Sequence, residues 1–233
     1  MPIEAYHGQT FVAFIDISGF KSMMQNRERA RDALSTFFQT GYSVLRKQRN
    51  VELRKRVDGL FVSDCGILFS RYNGENQYQG LHMKEALSSI LSTIEDISRK
   101  LLQADLMLTA SIAYGRFDFD ERVEFSGIVK NMMFGYAYLN AYLNNEVGKP
   151  KLNPGQCRIL KENIDEPFLE SVMASQDPPF NRVKKNHSDN KHLYFYWMVK
   201  KPFEISLFKR KYKDTYNLKY RGMLEALKDF SRN

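Results

Sequence analysis

The chain has 233 residues, with 35 Lys and Arg against 27 Asp and Glu, for a formal net charge of +8. A hydrophobic content of 43% with 13% aromatics is enough for a real core, so wholesale disorder is excluded, and the length fits one large domain or one domain with an appendage. No apolar run approaches the roughly 18 residues of a bilayer span, the N-terminus MPIEAYHGQT lacks the basic-then-apolar profile of a secretory signal, and Cys65 and Cys157 have neither disulfide-framework nor zinc-module spacing. A cytoplasmic globular protein without membrane contact is expected.

The first strong element is FVAFIDIS over 11–18, near-continuously apolar, aromatic and β-branched, which reads as a fully buried central strand. Apolar residues then recur at steps of three and four over 21–48, predicting a helix that the charged run NRERARD breaks in two. Two strands follow, 51–63 and 65–71, with Ser63-Asp64 at the corner between them. A polar loop over 73–80 leads to an amphipathic helix over 82–103, carried by Leu87, Ile90, Leu91, Ile94, Ile97 and Leu101.

LMLTASIAYGRFDF (106–119) reads as a second central strand, with Gly115 at its far end, followed by a loop containing Gly127 and a helix over about 131–145. CRIL and HLYFYWMV look like short added strands around a polar surface loop over 175–190, and 204–232 is a long basic helix candidate. The order β–αα–ββ–α–β–α is that of a ferredoxin-like or palm architecture: an α+β fold with a mostly antiparallel central sheet and helices on one face. Residues 8–148 would form the main domain, and 149–233 a strand-and-helix extension packed on it. That fold hosts many functions, so the site has to decide.

Asp16 sits at the end of an apolar strand, where an unpaired carboxylate would be costly to desolvate. It should therefore have a partner: a metal, a base or a helix terminus. The following Ile17-Ser18-Gly19-Phe20 makes a tight turn into a helix, offering backbone N–H groups to phosphate. Asp64 lies at the strand–strand corner, and if the strands are neighbours the two carboxylates meet at one sheet edge. Two carboxylates and a backbone carbonyl suit hard divalent cations on a triphosphate.

These residues carry a resemblance. FxDIxGF at 14–20, followed by a hairpin Asp in a (G/S)DC setting at 63–65, resembles the catalytic domain of class III adenylate and guanylate cyclases. TASIAYG at 109–115 and FGYAYLNAYLNNE at 134–146 are similar to two later landmarks of that family, in the same order. The resemblance implies that Asp16 and Asp64 hold two ions, Mn²⁺ or Mg²⁺, with the Ile17 carbonyl on the second. It implies that Ser18, Gly19, Phe20 and Lys21 hold the β- and γ-phosphates through backbone N–H groups. One ion would acidify the ribose 3′-hydroxyl, the other would stabilise the leaving pyrophosphate, and attack on the α-phosphorus would close a 3′,5′-cyclic nucleotide. A homodimer with a composite site is also implied.

Three positions depart from the purine-specific pattern. Leu139 and Leu143 stand where purine cyclases carry an Asn and an Arg that steady the transition state, and Leu60 replaces the purine-reading Lys. Either the domain is silent, or it takes a different base with a rebuilt site. The short, stand-alone form resembles the bacterial pyrimidine cyclases of the Pycsar anti-phage system, which work with a separate effector responding to cyclic UMP or cyclic CMP. That resemblance favours UTP over CTP. Replacement groups near base or transition state are sought in Arg54, Arg56 and Asp58, which share a face with Asp64 if strand alternation is unbroken. Arg116, Lys130, Tyr138, Asn140 and Tyr142 border the site in this family.

Other chemistries are poorly served. The four histidines lack the HxxxH spacing of a zinc helix, and GxxxxGK[ST] is absent. The basic, aromatic-interleaved stretch over 200–219 has the look of a nucleic-acid contact, but fits a packing stripe with solvated lysines better. Strand-end aspartates would repel a phosphate backbone unless metallated.

Overall fold

In the computed structural model, strand β1 (Tyr6–Ile17) is an inner member of an eight-stranded sheet. The structure describes residues 3–50, 52–72, 79–125, 128–186 and 189–199, with Ser206, Arg210 and Leu224. The expected helix over 204–232 and most of the loop over 73–80 therefore lie outside the described residues.

The strand order is β2-β3-β1-β4-β6-β8-β7, with β2 Val57–Val62, β3 Cys65–Ser70, β4 Leu108–Phe125, β6 Cys157–Leu160, β7 Val183–Asn186 and β8 Asp189–Phe195. Its first four members are antiparallel neighbours, and β6 runs parallel to β4. Strand β5 (Ile128–Phe134) pairs with the outer half of β4. Because Asp118 and Phe119 pair with β1 and β5 at once, β5 occupies the β4 edge that β6 uses further down. The β2-β3-β1-β4 order is the ferredoxin-like one, and β6, β8 and β7 extend the same sheet.

Alternation along β1 divides the core in two. Phe11, Ala13, Ile15 and Ile17 face helices α1 (Phe20–Met23), α2 (Arg27–Gln48) and α3 (Gln79–Gln103). Val12 and Phe14 face the other way, onto Ala137 and Ala141 of α4 (Tyr136–Val147). Helices thus cover both faces rather than one. The break between α1 and α2 falls just before the charged run, where the Asn26 side chain accepts from the Arg29 N–H at 3.0 Å and caps α2.

Three expectations change. Residues 128–134, IVKNMMF, form a hairpin arm rather than the lead-in to a helix, so α4 starts at Tyr136 and Gly115 lies inside β4. The second strand begins at Val57, after a 3₁₀ turn over Leu53–Lys55. The polar stretch after 175 contains β7, and helix α5 (Glu166–Ala174) precedes it, with Pro167 in its first turn.

A buried ion pair ties the later strands back to α3. Arg182 Nη2 donates to Glu95 Oε2 at 2.6 Å, while Arg99 Nε donates to Glu95 Oε1 at 2.7 Å. Among the described residues, no helix is long and apolar enough to cross a membrane.

Candidate active site

The end of β1 and the β2–β3 turn form one corner. Asp16 pairs with Cys65 across β3, so Asp64 lies one residue beyond it, and the Ile17 N–H donates to the Asp64 carbonyl at 2.9 Å. The two-residue turn is made possible by Ser63, held in the left-handed region at φ 55°. A strand residue's N–H and C=O point to the same edge, so the Ile17 carbonyl also faces this turn.

Asp16 lies on the α4 face of the sheet, the same face as Val12 and Phe14. Burial pushes its carboxyl up to about 7, and Asp64 and Glu146 add repulsion. The Cys65 thiol is pushed up to about 11 by burial and by the same carboxylates, Asp64, Asp16 and Glu146. Glu146, in the last turn of α4, therefore contributes a third negative charge to the corner. Sequence reasoning missed it. Its only sequence signal is its place at the end of the NNE run, and α4 has to lie across the sheet for it to matter. Among the described residues no cation offsets this concentration of carboxylates at Asp16, which a divalent ion would relieve, and the donor set of two carboxylates and a carbonyl oxygen fits one. Among the described residues no three His, Cys, Asp or Glu side chains make a full cage, so further ligands would be phosphate oxygens and water.

The phosphate turn is only partly as expected. Gly19 adopts φ 76°, a conformation that favours glycine, and leads into α1. The Ser18 N–H is committed to the Met107 carbonyl at 2.8 Å and is not available to a phosphate. Its hydroxyl is buried and has no hydrogen-bond partner among the described residues. The amides of Gly19, Phe20 and Lys21 remain for that role, since the first N–H groups of a helix lack intrahelical acceptors.

Tyr138 and Tyr142 stand beside the corner. The Tyr142 ring meets Phe14 edge-on at 5.2 Å and stacks on Tyr138 at 6.4 Å. Burial raises the Tyr138 phenol, with Cys65 and Tyr142 as neighbours. Behind them, Asn145 accepts from the Thr109 hydroxyl at 3.1 Å and donates to the Phe14 carbonyl at 3.4 Å, fixing the end of α4 on β1 and β4.

The other candidates lie elsewhere. Arg56 precedes the strand, whereas Asp58 keeps the alternation and lies on the same sheet face as Asp16, but far along the strand from it. Asp58 is buried under two guanidiniums, with Arg56 Nη2 at 2.9 Å and Arg71 Nε at 2.5 Å, and it pairs with Phe69, four residues along β3 from the corner. Arg54 falls in the 3₁₀ turn. Lys130 lies in the β5 arm opposite Arg122.

Arg116 holds Asp118 through two bonds of 3.0 and 2.9 Å and, with Tyr114, Tyr136, Leu139 and Asn140, lines a groove of about 1100 Å³. Gln9 faces Arg116 as Asp16 faces Thr109, seven residues along β1, so Arg116 is roughly 23 Å from the corner at ~3.3 Å per residue. One protomer cannot bring both to one nucleotide. The departures from the purine pattern differ in setting: Leu60 is buried, whereas Leu139 and Leu143 are 44% and 43% exposed. With Tyr136 and Val147 these two leucines form an apolar stripe along α4 at helical spacing.

No family model and no curated protein matches the chain. Solved structures do. The adenylyl cyclase CyaB from P. aeruginosa superposes with a TM-score of 0.52 at 15% identity, over 83% of this chain and 95% of that one. A bacterial light-regulated adenylyl cyclase gives 0.55 at 12% identity, over 97% of this chain and 59% of its own. The guanylate cyclase domain of RhGC from Catenaria anguillulae, in complex with GTP, gives 0.50 at 10% identity, over 82% and 96%. At such identities the likeness is one of fold: the chain has the α+β fold of class III nucleotide cyclase domains.

Proposed function

We propose that the protein is a nucleotide cyclase that converts a pyrimidine triphosphate, UTP in preference to CTP, into its 3′,5′-cyclic monophosphate and pyrophosphate. The observation that carries this reading is the corner where Asp16 and Asp64 meet, main chain bonded to main chain, with the Asp16 carboxyl pushed up to about 7 by burial and by its carboxylate neighbours. Divalent ions, Mn²⁺ or Mg²⁺, would be held by Asp16, Asp64 and the Ile17 carbonyl. Bound there, they supply charge neutralisation on the triphosphate and acidify the attacking hydroxyl. The chain's own contribution is positioning and exclusion of water. The amides of Gly19, Phe20 and Lys21 would cradle phosphate, and the Tyr138–Tyr142 pair would wall one side of the corner.

A homodimer completes the site. Arg116 lies too far from Asp16 within one protomer to share a substrate, while a two-fold partner could present the groove that Arg116 lines to the first protomer's corner. The exposed α4 stripe, Tyr136, Leu139, Leu143 and Val147, supplies apolar area for such an interface.

The pyrimidine preference rests on Leu60, Leu139 and Leu143, which remove the purine-reading lysine and the Asn/Arg pair. In this reading the product is a second messenger for a separate effector in bacterial anti-phage defence, and the site of action is the cytoplasm. A second reading, a nucleotide-binding or dimerisation module without turnover, is favoured by the same exposed leucines, which cannot donate a hydrogen bond. Incubation with each of ATP, GTP, CTP and UTP plus Mn²⁺, with products resolved by mass spectrometry, separates the readings. A cyclic pyrimidine supports the first. A cyclic purine overturns the base preference, and silence with all four favours the module.

A further inference from the structure

Beyond the corner, the C-terminal end of α4, the connection to β6 and strand β8 enclose a cavity of about 530 Å³, within the range of small-molecule sites. Asn144 and His192 in its lining belong to a hydrogen-bonded network. The Asn144 side-chain oxygen accepts from Ser111 Oγ at 2.9 Å and from Arg158 Nε, and its amide nitrogen reaches His192 Nε2 at 2.8 Å. His192 Nε2 is thereby an acceptor, so Nδ1 carries the proton and donates to Asp189 Oδ2 at 2.7 Å. Burial pushes the imidazole down and keeps it neutral.

The cavity's lining also carries charge. Lys149, Lys161 and Lys191 line it with one carboxylate, Glu162, and among the described residues no ion pair holds any of the four. Three lysines against a single carboxylate leave an excess of two positive charges in the lining. Ammonium groups recognise phosphate as point charges, without the geometric fork that arginine provides. Beside that network, the lysines offer charged donors to a ligand, and Glu162 an acceptor for a ligand hydroxyl.

We infer that this cavity binds a small molecule bearing a multiply charged phosphate, inorganic or esterified. It is separate from the carboxylate corner and does not rest on the cyclase reading, although Asn144 precedes Asn145 and Glu146, which belong to the corner.

The test is isothermal titration calorimetry on the full chain in EDTA, with pyrophosphate and with ribose 5-phosphate as probes. Saturable binding of one probe per protomer is expected, unchanged in Asp16→Asn. Binding weakens at least about tenfold, or ~1.4 kcal/mol, when Lys149, Lys161 and Lys191 are all replaced by alanine. Glu162→Gln tightens pyrophosphate by relieving repulsion. Tighter ribose 5-phosphate assigns an ester and tighter pyrophosphate an inorganic ligand, and either supports the site. The inference is overturned if neither probe binds, if the triple variant binds as well as the parent while retaining its thermal midpoint, or if Asp16→Asn abolishes binding.

Discussion

Ile17 donates its backbone N–H to the carbonyl of Asp64 at 2.9 Å, so the strand end that carries Asp16 and the hairpin turn that carries Asp64 are held as one rigid unit. The two carboxylates are set close by main-chain hydrogen bonding rather than by mutual attraction. Their repulsion is therefore stored in the folded protein, and this has measurable consequences.

The first concerns pH. Asp16 is raised from 3.8 to about 7, so the folded state favours the protonated carboxyl more than the unfolded chain does. Such a group makes the metal-free protein less stable as pH rises from about 4 through about 7. Asp16→Asn should therefore raise the thermal midpoint in EDTA at pH 8 and have little effect at pH 4. Mn²⁺ should stabilise the parent at pH 8 and leave Asp16→Asn unmoved. A parent midpoint that climbs between pH 5 and 8 through this residue contradicts the assignment.

A second prediction addresses the seat of α4. Gly135 adopts φ 128°, and a Cβ there would stand 2.3 Å from the Arg116 carbonyl oxygen and 2.9 Å from the Phe117 Cα. Backbone atoms cannot yield as a side-chain tip can. Gly135→Ala should cost more than ~1 kcal/mol in denaturant unfolding, through strain and displacement of α4 together. A midpoint equal to the parent's would show that the close approach is not maintained.

The buried pair between Glu95 and Arg182 yields a third. Arg182→Leu leaves a buried carboxylate with Arg99 alone and should destabilise by about 3 kcal/mol. Adding Glu95→Leu should restore much of that loss, because an apolar pair no longer strands a charge. Additive losses in the double variant would argue against coupling.

A fourth tests the shared site. Asp16→Asn and Arg116→Ala should each be inactive as homodimers, yet mixing them should recover part of the activity, since one hybrid site would hold intact copies of both residues. Leu143→Glu, which places a charge in the exposed α4 stripe, should shift the protein toward monomer in analytical ultracentrifugation and reduce turnover. No recovery on mixing would mean that each chain works alone.

Much of this was legible in the sequence, for physical reasons. The β1 run over 11–18 and the period of α3 announce themselves because buried elements must be apolar on a fixed repeat. Asp16 stood out because a carboxylate in such a run demands an explanation. The β5 arm escaped because IVKNMMF is short and mixed, and its pairing with the outer half of β4 is tertiary. Arg54 was expected on the Asp64 face because strand alternation was counted into Leu53–Lys55, which is a 3₁₀ turn, while Asp58 keeps the face but is held by Arg56 and Arg71. Glu146 is a lone acid on an exposed helix end, and only the lie of α4 over Phe14 brings it to Asp16. Arg158 was likewise silent in the sequence, yet it is buried beneath Asn144.

The most direct test of the central claim is the turnover rate of Asp16→Ala and Asp64→Ala against the parent, with the favoured triphosphate at saturating Mn²⁺ and with folding verified by circular dichroism. Loss of either carboxylate should lower the rate at least about 100-fold, since groups that hold the catalytic ions account for several kcal/mol of the barrier. A folded Asp16→Ala protein that turns over at the parent's rate would contradict the account.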